Sequence, residues 1–157
     1  MENETVVWDE KYATGIGLID AQHKQLIVLT NQLYNACFAD EKVLEDAFKK
    51  AMHQMVEYVR FHFIAELKLL DALKFPDYNN HKKKHDQLIQ DILSAVKDYN
   101  DGKKLVPNHF VRTLKDWIFS HIAIYDKEYS AYFHHQIEKG VLSEQKIKEI
   151  ESTIENS

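Results

Sequence analysis

Histidines and carboxylates recur in this sequence at intervals that aim them in common directions. His81 and His85 are four residues apart, as are His62 and Glu66; His121 and Asp126 are five apart, and His23 stands alone. Side chains at i and i+4 of a helix lie about 6 Å apart on one face, close enough to clasp a single ion. Imidazole mixed with carboxylate suits iron, manganese or zinc rather than copper(I). His121 and Asp126 are harder to bring together, because five residues of regular helix turn through about 140°. Either the aspartate side chain reaches around, or the helix widens locally into a π turn, a distortion that collects at functional sites. Each pair also has a plainer meaning: HxxxH as surface or hydrogen-bonded core histidines, His62 with Glu66 as a buried ion pair, His23 as a structural ring.

Helices must position these residues. The chain holds 4 Gly and 2 Pro, too little turn chemistry for many strands, and both prolines stand where a helix can begin. A first helix is expected after "GIGLID", with Asp20 as N-cap and an inner stripe of Ile19, His23, Leu26, Thr30, Leu33 and Cys37. A second, from about Lys42 to Lys74, carries Leu44, Phe48, Ala51, Met55, Val59, His62, Glu66, Leu69 and Leu73. A third opens near Pro76 and Asp77 and ends around Asn100 to Gly102, with His81, His85, Leu88, Ile92, Ala95 or Val96, and Tyr99 inside. A fourth runs from after Pro107 to Gly140, with Val111, Leu114, Ile118, His121, Tyr125 or Asp126, and Tyr129. A short last helix sets Ile147, Ile150 and Ile154 on one side. Short connections between amphipathic helices predict an all-α fold, an up-down-up-down four-helix bundle. It is expected as one domain, with an N-terminal arm over 1–18, the bundle over 19–140 and a helical tail over 141–157.

All four inner stripes are interrupted by ligand-type residues, and that joint pattern outweighs any single pair. Burying Glu66 and Asp126 without a positive partner is costly, and a metal supplies one. Five imidazoles and two carboxylates are too many for one ion but fit two, with both carboxylates bridging. Adding a bridging hydroxide fills roughly eleven of twelve positions around two six-coordinate ions, leaving one open.

At these residues the sequence resembles the hemerythrins, in particular their single-domain bacterial members. "VVWDEKYATGIGLIDAQHKQL" is similar to the family's N-terminal signature through Trp8, Tyr12, Gly15, Ile16, Ile19, Asp20, Gln22 and His23, and "HFIAE", "HKKKH" and "HIAIYDKEY" follow in the family's order. The likeness spans about Trp8 to Tyr132. It implies two non-haem irons joined by an oxo or hydroxo group, with His81, His85 and His121 on one, His23 and His62 on the other, and Glu66 and Asp126 bridging. Dioxygen would bind reversibly at the open position of the second iron. Leu26, Phe63, Trp117, Ile118 and Ile122 should then neighbour that position, an apolar wall without acid or base, unless they are ordinary core. The family usually follows its bridging glutamate with a second glutamate and then a methionine; this chain has Leu67 and Leu70, which puts the outer hydrogen bonding of the second helix in question. Tyr125 is expected as an outer donor or a packed ring, and His53, His109, His134 and His135 at the surface or helix ends.

Three functions share such a site: oxygen storage, delivery or buffering; oxygen or redox sensing through a partner that reads the tail from Ser143 to Ile154; and a di-iron oxidase, peroxidase or nitric oxide reductase. The chain contains no ExxH motif, the signature of ferritin-like oxidases, which favours binding over catalysis. A net charge of -5 argues against a nucleic-acid partner, and Lys83 is rotated about 200° from His81, so Lys82 to Lys84 read as a solvated face. No apolar run approaches the roughly 20 residues of a membrane span. One cysteine, Cys37, excludes an internal disulfide, and the start "MENETVVW" lacks the basic and apolar regions of a signal peptide. A cytoplasmic monomer is the expectation.

Overall fold

Asp20 does not cap the first helix. In the computed structural model, which describes residues 5–38, 41–103 and 107–157, α1 (Gly17–Ala36) begins ahead of it with Ile16 at the N-cap. Asp20 sits in the first turn and folds back. It accepts from the Thr14 N–H and hydroxyl, both at 2.7 Å, and from the Gly15 N–H at 3.0 Å. The carboxylate thus satisfies donors upstream of the helix, a task that its side-chain length allows from inside the turn. Gly15 has φ +78°, and a Cβ there would meet the His134 ring at 2.7 Å, so both backbone and space demand glycine.

The other elements are α2 (Glu41–Ala72), α3 (Tyr78–Asn100), α4 (Pro107–His121), a π segment (Ile122–Asp126), α5 (Lys127–Glu138) and α6 (Glu144–Glu155). A 3-10 turn, Glu10–Tyr12, precedes them. No strand occurs among the described residues. The expected fourth helix is therefore three consecutive pieces, joined with right-handed backbone at His121 and Lys127. Asp77 takes the N-cap position of α3 without a capping bond, accepting instead from the Asn80 amide at 3.0 Å. Gly102 and Gly140, at φ +72° and +70°, close the turns that follow α3 and α5. Leu44 lies among residues whose side chains are outside the described part.

These helices form a four-helix bundle of α1, α2, α3 and the composite α4–π–α5, with neighbours in sequence packed side by side. The core has two parts. The larger gathers Leu26, Leu33, Phe48, Met55, Val59, Leu88, Ile92, Val111, Leu114 and Ile118. The smaller gathers Ile16, Ile19, Leu69, Leu70, Phe75, Tyr129 and Phe133, and α6 completes it by burying Ile147, with Ile150 and Ile154 beside it. Glu151 of α6 also accepts the Leu18 N–H at 2.8 Å, so the last helix is fastened to the start of the first. The N-terminal arm is held by Asn31, whose side chain accepts from the Val6 N–H at 2.8 Å and donates to its carbonyl at 2.9 Å. No helix among the described residues is long and apolar enough to cross a membrane.

Candidate metal centre

The layer between the two cores is polar. His23 comes from α1, His62 and Glu66 from α2, His81 and His85 from α3, His121 from the end of α4, and Asp126 from the π segment. All seven are buried, none more than 4% exposed. A π turn closes its hydrogen bond over five residues instead of four, so a five-residue interval returns to the same face. This is how Asp126 joins His121, and Tyr125, the other candidate for the inner stripe, is only half-buried.

Their donor atoms converge. The His81 and His85 Nε2 atoms stand 3.3 and 2.9 Å from Glu66 Oε2. His121 Nε2 is 3.2 Å from Asp126 Oδ1, and His23 Nε2 is 3.2 Å from Asp126 Oδ2. Two groups emerge whose donors lie within 4.8 Å of one another: Glu66, His81, His85, His121 and Asp126, and His23, His62, Glu66 and Asp126. Both carboxylates belong to both groups.

Hydrogen bonding among these residues does not account for the arrangement. His23 Nε2 and both Asp126 oxygens are buried without a hydrogen-bond partner, although they face one another. The His85 and His121 Nε2 atoms approach to 3.1 Å. Two metal–nitrogen bonds of about 2.1 Å at a right angle hold their nitrogens about 3.0 Å apart, so the spacing suits a shared cation. The residues present fit a pair of metal ions.

Electrostatics point the same way. As long as no cation is bound, burial pushes the Glu66 and Asp126 carboxyls up, but the surrounding imidazoles outweigh it. They hold Glu66 well below the usual carboxylate range and Asp126 at about 2. Burial drives the His62 ring down to about 3, only partly offset by Glu66. At His23 and His81 burial is overcome by Asp126 and Glu66 respectively, and both rings are raised. Ionised carboxylates beside the lowered His62 and His85 rings are in the donor state a metal requires, whereas a metal would have to displace a proton more readily held at His23 and His81.

Outer partners hold several of these side chains in place. Tyr129, fully buried, donates its hydroxyl to Glu66 Oε1. Burial and the Glu66 charge raise the phenol well above its ordinary range, keeping it a donor. The His62 Nδ1–H donates to Gln22 Oε1 at 2.8 Å, and the His23 Nδ1 lies 3.3 Å from the Tyr12 carbonyl. His85 Nδ1 has no partner; the Phe63 ring stacks on it at 3.7 Å and 2° instead. Leu70 is buried in the smaller core and Leu67 is half-buried, so helix α2 offers packing where the family pattern has polar groups. The Tyr125 ring lies 5.3 Å from that of His121 and carries Lys84 over its outer face at 4.8 Å. His53, His109, His134 and His135 are exposed, and His134 donates to the Thr14 carbonyl at 3.1 Å.

Beside the donors lies a cavity of about 10 Å³ lined by Leu26, Val59, His62, Phe63, Leu88, Trp117, Ile118, His121 and Ile122. It brings together all five residues expected as an apolar wall and adds Val59 and Leu88. Apart from the two imidazoles, nothing in that lining is an acid or base. Gln22 and Tyr129 are the functional neighbours that sequence reasoning did not assign. A polar residue flanking the inner stripe, and a tyrosine three residues after a buried aspartate, were the available signals.

Comparison with known proteins agrees with this geometry. Residues 14–133 match the hemerythrin HHE cation binding domain. The chain is 26% identical over 119 residues to a bacteriohemerythrin of Methylococcus capsulatus, covering 76% of this chain and 88% of that protein. It is 30% identical over 125 residues to a hemerythrin-like protein of Naegleria gruberi, covering 78% and 88%. A crystal structure of wild-type hemerythrin superposes with a TM-score of 0.73 at 25% identity, covering 80% of this chain and 95% of that one.

Proposed function

Because this chain belongs to the hemerythrin family, we propose that it binds dioxygen reversibly at two non-haem irons, for oxygen storage, delivery or buffering. His81, His85 and His121 would hold one iron, His23 and His62 the other, with Glu66, Asp126 and an oxo or hydroxo group between them. The observation that carries this is the pair of donor groups sharing Glu66 and Asp126 beside a wall without acid or base. Bound iron would supply the electrons and the open coordination position that dioxygen needs.

The chain's own residues do the rest. Five buried imidazoles present nitrogen donors, and two ionised carboxylates would offset much of the metal charge within a buried layer. The cavity is at the lower limit for one water molecule, and Leu26, Phe63, Ile118 and Ile122 give such a molecule nothing to bond to. Apart from His62 and His121, which would be committed to iron, no side chain lining the cavity is an acid or base, which favours release of a bound molecule over its conversion. All seven donors come from one chain, so the site requires no partner subunit.

The test is anaerobic loading with ferrous iron, counting two irons per chain, then cycles of adding and removing oxygen while following visible charge-transfer absorption. A band that comes and goes supports the reading. Irreversible bleaching with product formation would turn it toward an enzyme, and absence of iron uptake would end both readings.

A further inference from the structure

We propose that Gln22 is a positioning residue for His62. By accepting the Nδ1–H hydrogen bond it fixes the ring's tautomer and plane, so that the Nε2 lone pair faces the half of the centre supplied by His23 and His62. The two atoms are 2.8 Å apart, and the residues are 5% and 1% exposed. A neutral imidazole carries its proton on one nitrogen and a lone pair on the other. An acceptor at Nδ1 therefore leaves Nε2 bare. Were the amide nitrogen turned to the ring instead, Nε2 would carry its hydrogen in among Glu66, Asp126 and His23, where it would keep a cation out.

The consequence is uneven across the centre. His62 is one of two imidazoles in its group, whereas His81, His85 and His121 make three in the other. Its neighbour His23 has a longer Nδ1 contact, 3.3 Å to a backbone carbonyl. Loss of the Gln22 acceptor therefore weakens the less populated half first. Gln22 also borders a cleft of about 350 Å³ lined by Leu18, Phe61, Ile64 and Ile154, which gives a substituted side chain room without repacking the core.

Two variants of the full chain separate hydrogen bonding from packing. Gln22→Met keeps the length and loses the acceptor; Gln22→Glu keeps an acceptor oxygen. Long-range proton–nitrogen NMR correlations on the metal-free protein read the tautomer directly. Wild type and Gln22→Glu should show a protonated Nδ1 and bare Nε2 at His62, and Gln22→Met a mixture or the reverse. This arm needs no metal.

The second arm rests on the di-iron reading. In ferrous iron titrations, wild type and Gln22→Glu should take up two ions, while Gln22→Met binds the second about ten- to a hundred-fold more weakly and keeps the first. An unchanged tautomer in Gln22→Met, or equal weakening of both ions, overturns the proposal. A wild-type protein that takes up no iron, yet whose His62 tautomer changes in Gln22→Met, overturns the di-iron reading and upholds the grip of Gln22 on His62.

Discussion

Single residues in the polar layer carry consequences that can be measured without any metal. Tyr129 donates to Glu66 from a fully buried position. Removing a hydrogen bond to a buried charge costs about 1.5–3 kcal/mol, so Tyr129→Phe should lower the urea-unfolding free energy by that amount with no change in helix content. His62 titrates against the fold. Its folded pKa lies at about 3, below the ordinary 6.5, so the unfolded chain takes up the proton first. Its contribution is complete above the ordinary value and is lost as pH falls toward the folded one. Between pH 7 and pH 5 the metal-free wild type should lose on the order of 2 kcal/mol more than His62→Leu in chemical denaturation; equal losses would contradict this. At this scale the convergence of His62 with Glu66 and of His81 with His85 was legible because their spacings are helical. The hydrogen-bonding roles of Gln22 and Tyr129 were not, because the position of a residue on or beside an inner stripe does not say which partner on another helix it meets.

The helices were legible nearly in position, with the fourth divided into three pieces, since apolar residues at three- and four-residue spacing reflect burial directly. What failed was local: Asp20 reads as an N-cap, yet serves Thr14 and Gly15 from inside the first turn. The π segment shows the opposite case, for the five-residue gap between His121 and Asp126 allowed a π turn or a reaching side chain, and only the backbone decides. A π turn absorbs one extra residue within an otherwise regular helix. Deleting the exposed Ile124 should therefore give a regular helix that keeps α5 and Tyr129 in register. Thermal unfolding should then show stability unchanged within about 1 kcal/mol or raised, whereas a collapse would show that the wider turn is itself required.

For the molecule as a whole, the centre competes with protons, because bound metal requires neutral imidazoles and ionised carboxylates together. Iron should dissociate as pH drops below about 5.5 to 6, followed by metal analysis after dialysis; unchanged iron content at pH 4 would contradict the assignment. The arrangement of the whole, a bundle with α6 packed on its smaller core, followed from the sequence as far as the helices and their inner faces. The pinning of α6 to α1 through Glu151 and Leu18 did not, since it joins the chain's last helix to the first turn of its first.

The division of the core into two apolar parts by a polar layer reaches beyond chemistry. Were iron bound as proposed, the two parts would behave as one cooperative unit; in the metal-free bundle the middle holds buried groups such as Asp126 whose oxygens lack partners. Cellular proteases act on the transiently opened fraction, which grows as ligand-derived stability is withdrawn. A pulse-chase in iron-starved and iron-replete cells should thus find a shorter half-life under starvation, making nutrient supply a control on how much of the protein persists.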